Sequence, residues 1–520
     1  MACTERLALS GAEVSRSVNG ERRSVDSLNQ FQTPIIDALQ EWVDKSHAPF
    51  YTPGHKRGVG MNPILTANWG AAVFGWDLPE LPGLDNLQAP TGAIEQAQIL
   101  AAAAFGAQQT WFLVNGSTTG VMAAILATCG EGEKIILPRN IHSSAIAGII
   151  HAGAIPIFIN PEYDRQLDIA HSITPDSVKL ALKQHPDAKA VMVVYPTYYG
   201  ACGDLAAIAE IVHSYQIPLL VDEAHGAHFG FHPDLPPAAL TVGADLAVQS
   251  THKVLGSLTQ SAMLHVNSSL IDAAQIDRSL RLLQSTSPSY LLLASLDAAR
   301  QQMALNGEKL MAETIELARI ARVEIAQIDG LSVVELDTST PGCKYLDPTR
   351  LTVTVTGLNL TGFAADEILT SEFGIVAELP SMRHLTLIIS LGNRQPDLDR
   401  LIWGLTQLAT KYAQVTSPIL GLISQRLGSA NDPQDQVLTK MAITPRQANR
   451  SPQISVSTNQ AIGRISAESI CPYPPGIPVL IPGEIITTDA LSYLKQILDL
   501  GGELVGCSDP TLKNISVVNQ

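Results

Sequence analysis

Between residues 85 and 265 short apolar runs alternate with longer Ala-rich or amphipathic stretches. Runs at 134–138, 155–160, 190–195, 219–222 and 244–248 have the length and continuous apolar character of buried strands. The stretches between them, at 92–105, 121–129, 174–184 and 205–215, read as helices. Strand and helix in strict alternation predict an α/β domain, a mostly parallel sheet with helices on both faces. A strand at 258–265 is expected to leave the last helix-strand corner. Past 288 the pattern lengthens into a helix to 306, a Gly break, and more helix to about 327. From 331 to 390 the period changes. Residues 351–355 alternate as an antiparallel strand does, with 385–390 as partner and a helix over 361–373. Before all this lie an unpatterned polar segment, 1–30, and an amphipathic helix at 34–46 with Ile35, Ile36, Leu39 and Trp42 on one side. Pro-, Gln-, Ser- and Asn-rich sequence at 429–460 reads as a linker or irregular segment. The expected division is a disordered N-terminus (1–30), an arm (31–80), a large domain (81–300), a small α+β domain (301–428) and a C-terminal domain (429–520).

Composition narrows the class. At 520 residues, two or three domains are expected, and 46% hydrophobic against 16% charged residues fits a large core. A formal charge of −16 argues against general nucleic-acid binding and mildly favours cationic ligands. The six cysteines are scattered, with no CxxC pair, so neither a disulfide frame nor a metal site is expected. No apolar run reaches the roughly 18 residues of a membrane helix, and the N-terminus lacks the apolar core of a secretory signal. The expectation is a soluble cytoplasmic protein with no membrane partner.

Chemistry gathers where the strands end. Gln249-Ser250-Thr251-His252-Lys253 follows the run at 244–248. A nucleophilic Lys needs a partly desolvated pocket that frees a neutral amine; an exposed loop Lys is the ordinary alternative. Upstream, the strand at 219–222 delivers Asp222, then Glu223, Ala224, His225 and His228. An Asp and a Lys at the ends of two strands suit a pyridoxal 5′-phosphate (PLP) enzyme, in which the Asp keeps the ring an electron sink. Asn115-Gly116-Ser117-Thr118-Thr119-Gly120 lies between a strand and a helix. Backbone N–H groups and hydroxyls there form a ready phosphate site; an ordinary helix cap is the alternative. No Gly-Lys-Ser/Thr follows, so it is not a nucleotide P-loop. Every one of these candidates follows a strand, where open α/β sheets bind ligands.

Seven stretches are together similar to the Orn/Lys/Arg decarboxylase family, fold-type I PLP enzymes with the aspartate-aminotransferase-like fold. They are Tyr51-Thr52-Pro53-Gly54-His55-Lys56, Leu81-Pro82-Gly83-Leu84-Asp85-Asn86-Leu87, the 111–120 turn, Pro196-Thr197-Tyr198-Tyr199-Gly200, the 219–228 and 249–253 segments, and the Pro-rich 465–484 block. The resemblance covers roughly residues 31–520. It implies that Lys253 forms the Schiff base with PLP and that Asp222 pairs with the pyridinium nitrogen. His142 would stack on the ring, with Ala224 beside it. Ser117, Thr118, Thr119 and Ser250 would hold the phosphate. Thr286, in Ser285-Thr286-Ser287, would reach a phosphate across the subunit interface. His252 and the released Lys253 would return a proton to Cα, and His225 would lie beside the ring or the substrate carboxylate. Glu484 would face the cationic end of the substrate, unless it is a solvated loop acid. The implied reaction is decarboxylation of lysine, arginine or ornithine to cadaverine, agmatine or putrescine, by a homodimer or dimer of dimers with shared sites. Longer members carry an N-terminal wing domain that organises rings; about 30 residues before the first helix cannot form one. Two alternatives stand beside this reading: another PLP reaction such as transamination or β-elimination, with Arg383 gripping the carboxylate, and a non-catalytic regulatory relative. The 471–484 block argues against the first, and the paired Asp222 and Lys253 against the second. Which basic amino acid is taken stays open.

Overall fold

The computed structural model describes residues 28–412, 440–473 and 477–519. The disorder expected over 1–30 and the boundary at 428 fall almost wholly outside them. The centre is a seven-stranded sheet of β1 (Gln109–Leu113), β2 (Lys134–Pro138), β3 (Ile155–Ile159), β4 (Ala190–Val194), β5 (Leu219–Asp222), β6 (Leu246–Gln249) and β7 (Ala262–Val266). Their spatial order is β1-β7-β6-β5-β4-β2-β3. β3, β2, β4, β5 and β6 run parallel. β7 runs against both its neighbours, so β1 points the same way as the parallel set. Alternate residues feed two separate cores: Val191, Val193, Leu219, Val221 and Ala247 on one face, Met192, Leu220, Leu246 and Val248 on the other. Burial on both faces is what makes these strands continuous apolar runs rather than alternating ones.

The helix Tyr290–Ile325 is 36 residues long and passes through Gly307 without a break, contrary to expectation. A Cβ at Gly307 would lie 2.9 Å from the Phe231 ring, so this glycine serves packing. At 1.5 Å per residue the rod spans about 54 Å. Near its start, buried Asp297 accepts from the Ile35 amide at 3.0 Å, and Arg300 donates to the carbonyls of Gln30 and Gln32. These contacts fasten the arm helix Pro34–Asp44. Near its end, Ala318, Ala321 and Ile325 pack on Leu351, Val353 and Leu385 of a second sheet. That sheet consists of β8 (Ser332–Val333), β9 (Arg350–Thr354), β10 (Leu379–Pro380) and β11 (His384–Ile388), in the order β8-β9-β11-β10. All its pairings are antiparallel, as the period-2 pattern predicts. The helix between, Gly362–Ile368, widens into a π-turn over Leu369–Phe373.

Residues 440–460 are not irregular. Thr444 and Gln447 form a capping box around Pro445–Arg450, and Gln453–Ser457 pairs with Asn514–Val518. Both elements are largely exposed, so their polar composition hides them from a hydrophobic pattern.

Candidate active site

Parallel strands bring their carboxyl ends to one edge, and the candidate groups meet there. β5 ends in Asp222 and β6 in Gln249, followed by the short helix Thr251–Val254 that carries His252 and Lys253. Lys253 Nζ lies 2.9 Å from His225 Nε2 and 5.8 Å from the Tyr198 ring centroid. Burial pushes the Lys253 ammonium down, Asp222 opposes this, and Arg350 adds to the drop. His225 is pushed well below the usual imidazole range by burial and by the cations Lys253 and Arg350. His252 places Nδ1 2.8 Å from the Ser261 carbonyl. A carbonyl only accepts, so Nδ1 carries the proton and Nε2 is left with its lone pair. Burial lowers the pKa of this ring as well. His142 does cap a helix, with Nδ1 3.2 Å from the Ser144 amide. The same ring feels Asp222 and Lys253, and burial pushes its pKa down.

At the start of the helix Gly116–Thr128, Ser117 Oγ and Ser250 Oγ lie 2.6 Å apart. Thr118 is exposed. Thr119 departs from expectation: it is buried and donates its hydroxyl to the Asn115 carbonyl at 3.1 Å, so that hydroxyl is committed to its own helix. Gly120 seats the helix on the sheet, since a Cβ there would come 2.6 Å from Val248 and 2.7 Å from Leu113. Thr286 is exposed, on a segment hung from the same turn by the Ser285 amide to Asn115 Oδ1, 3.1 Å.

These residues fit PLP. Asp222 is 8% exposed. One of its oxygens accepts from the Ala224 amide at 3.2 Å; the other has no hydrogen-bond partner among the described residues and suits a ring N–H. Thr251 Oγ1, two residues before Lys253, is buried without a partner. The two serines at a helix N-terminus suit a phosphate. No cluster of three metal-ligating groups occurs among the described residues.

Glu484 needs correction. It is 1% exposed, pairs with Arg139 at 3.1 Å and accepts from the Ile481 amide at 2.8 Å. Arg139 also donates to the carbonyls of Pro478 and Val479. The pair clamps the Pro-rich block onto the end of β2 and does not present a carboxylate to a substrate. A lone acid in an apolar pentad does signal an unseen cation; here that cation belongs to the protein. A further acid acts on Lys253 and Tyr198, after Asp222, and on Arg350, after Asp347: Glu378, exposed and just before β10. Its sequence signal is a single charge in Gly374-Ile375-Val376-Ala377-Glu378-Leu379-Pro380. Arg350 was likewise invisible: it reaches His225 from β9, 125 residues away in sequence. Arg383 donates to the Gln166 carbonyl and does not share this network.

The descriptions "Orn/Lys/Arg decarboxylase, major domain" and "Orn/Lys/Arg decarboxylase, C-terminal domain" match residues 33–396 and 430–509. The chain belongs to the Orn/Lys/Arg decarboxylase family. This decarboxylase is 41% identical over 499 residues to the arginine decarboxylase of Bacillus subtilis strain 168, covering 95% of this chain and 99% of that protein. Identity to the arginine decarboxylase of Bacillus anthracis is 39% over 494 residues, with 95% and 98% covered. The structure of the constitutive lysine decarboxylase of E. coli superposes with a TM-score of 0.80 at 21% identity, covering 95% of this chain and 82% of that one, and shows the shared fold. The enzyme is thus a fold-type I, PLP-dependent carboxy-lyase acting on a basic amino acid. Among the described residues no helix is long and apolar enough to cross a membrane.

Proposed function

We propose that this decarboxylase takes L-arginine and releases CO₂ and agmatine. The observation that carries the chemistry is the Lys253 amine, held by His225 close to the half-satisfied Asp222 at the ends of β5 and β6. The choice of arginine is supported by near full-length similarity, at 39–41% identity, to two proteins named arginine decarboxylase.

Bound PLP supplies the sink for the electron pair left when the Cα–carboxylate bond breaks. The Asp222 carboxylate would face the ring nitrogen, a fixed electrostatic contribution. His142 would cover one face of the ring and leave the other for substrate. Ser117, Ser250 and the N-terminus of Gly116–Thr128 would hold the phosphate, with Thr118 at the exposed rim. Lys253 Nζ would return the proton to Cα, and His252, whose Nε2 lone pair can first take a proton up, would be the second candidate for that transfer. Glu378 receives the substrate guanidinium through a charge-assisted hydrogen bond. We read the assembly as a homodimer or dimer of dimers in which Thr286 serves the neighbouring site, and the place of action as the cytoplasm, in amine formation for polyamines.

The test is an assay of PLP-loaded protein with arginine, lysine and ornithine separately, detecting the amine by mass spectrometry. Agmatine as the dominant product is expected. Dominant cadaverine or putrescine overturns the substrate. No amine at all, with the visible band of the lysine-linked cofactor intact, overturns the decarboxylase reading. Lys253→Ala is expected to lose that band entirely.

A further inference from the structure

His225 is held between two basic side chains, one at the end of the central sheet and one from the second sheet. On one side Arg350, the first residue of β9, places Nη2 2.8 Å from Nδ1 and 3.3 Å from the His225 carbonyl oxygen. On the other, Lys253 Nζ lies 2.9 Å from Nε2. A guanidinium has five N–H donors, no acceptor, and stays protonated in proteins. Nδ1 therefore accepts and carries no hydrogen. Burial, with Lys253, Arg350, His142 and His252 around it, keeps the ring neutral, so its one proton sits on Nε2. That proton is directed at Lys253 Nζ, and Nζ can receive it only through the lone pair of an uncharged amine.

We propose that Arg350 is a positioning residue that sets the tautomer of His225 and, through it, presents Lys253 as a free amine ready for attachment of the cofactor. The proposal rests on the reading of Lys253 as the cofactor lysine. Arg350 is itself fixed. It is 1% exposed. The Asp347 carboxylate lies 3.8 Å from its Nε. Asp347 is held by the Thr349 amide at 2.9 Å, the Thr349 hydroxyl at 2.7 Å and His228 at 3.3 Å. Gly200, at φ +86°, leaves room for it, since a Cβ there would come 2.8 Å from Arg350 Cβ. The other charged groups acting on Lys253 are Asp222 from β5 and Glu378 from the start of β10; both favour the ammonium. The tautomer device therefore works against two carboxylates.

The proposal is tested on the apoprotein labelled with ¹⁵N-histidine, as wild type, Arg350→Lys and Arg350→Gln, with His225→Asn assigning the signals by their loss. Two-bond ¹H–¹⁵N correlation reads which ring nitrogen is protonated. Wild type and Arg350→Lys, whose ammonium is also donor-only, are expected to show Nε2–H and a bare Nδ1. In Arg350→Gln the amide oxygen accepts from Nδ1–H, and the tautomer is expected to reverse. A second readout is the pH midpoint for growth of the visible band when PLP is added to apoprotein. It is expected to match wild type in Arg350→Lys. In Arg350→Gln it is expected to rise by about one unit, about tenfold slower loading below the midpoint. Wild-type His225 with its proton on Nδ1 overturns the proposal, and that spectrum decides even where a variant does not fold. Arg350→Gln with unchanged tautomer and midpoint overturns it too. A visible band that survives Lys253→Ala removes the reading beneath it, whatever the tautomer.

Discussion

At the scale of single residues, two acids that look alike in sequence do opposite work. Glu484 is sealed against Arg139, while Glu378 is exposed and acts on the Lys253 amine. Glu378→Gln is expected to raise KM for arginine by roughly 10- to 100-fold, the ~1.5–3 kcal/mol of a hydrogen bond to a charged group. Its kcat should change far less; steady-state kinetics checks this, and a KM within a factor of two of wild type rejects the assignment. Glu484→Gln leaves a buried guanidinium without its counter-charge and is expected to cost about 3–5 kcal/mol of stability, read by denaturant unfolding. Lys253 and Asp222 were legible because strand ends announce themselves in an apolar pattern. Arg350 and Glu378 were not, because they come from a different sheet, and only tertiary packing sets them against His225 and Lys253. Glu484 was misread for the same reason: its partner lies 345 residues away.

Among the elements, the helix Gly116–Thr128 joins phosphate chemistry to sheet packing. Its N-terminus carries Ser117, and one turn later Gly120 touches β1 and β6. Gly120→Ala forces the helix off the sheet, at about 1–3 kcal/mol for overpacking. The shift separates Ser117 from Ser250, so PLP affinity is expected to fall about tenfold, the ~1.4 kcal/mol equivalent of one weakened phosphate contact. Titration of the visible band measures it, and an unchanged affinity with lowered stability would separate packing from phosphate binding. The alternation of strands and helices from 109 to 266 was readable because both faces of each strand are buried. The run of Tyr290–Ile325 through Gly307 was not. A glycine read as a breaker is indistinguishable in sequence from one that makes room for Phe231.

Across the whole molecule, the arm leaves apolar side chains in water: Phe50 is 95% exposed, Val59 90% and Trp69 60%. A face of this kind marks a protein contact, and a second copy is the occupant we read for it. The double change Val59→Asp, Trp69→Asp is expected to move sedimentation from dimer to monomer and, on the proposal that Thr286 serves the neighbouring site, to abolish activity. Stability should also depend on pH through Glu223, whose carboxyl burial pushes up to about 8. The unfolded chain releases that proton near 4.5 and the folded protein holds it. The stabilisation is therefore complete below 4.5 and is lost as pH rises to about 8. Glu223→Gln is expected to flatten the decline in melting temperature over that window.

The clamp between Arg139 and Glu484 also sets an order of events during synthesis. Arg139 leaves the ribosome with the central sheet, whereas the carboxylate that neutralises it follows 345 residues later. Until then the end of β2 holds a cation that must stay hydrated, and hydration keeps the pocket walls apart. The sheet can form early, but the pocket around Arg139 is expected to close only when the Pro-rich block arrives. A nascent chain stalled before residue 484 should therefore be open to protease beside Arg139, and the same bond should resist cleavage once the last strands have been made.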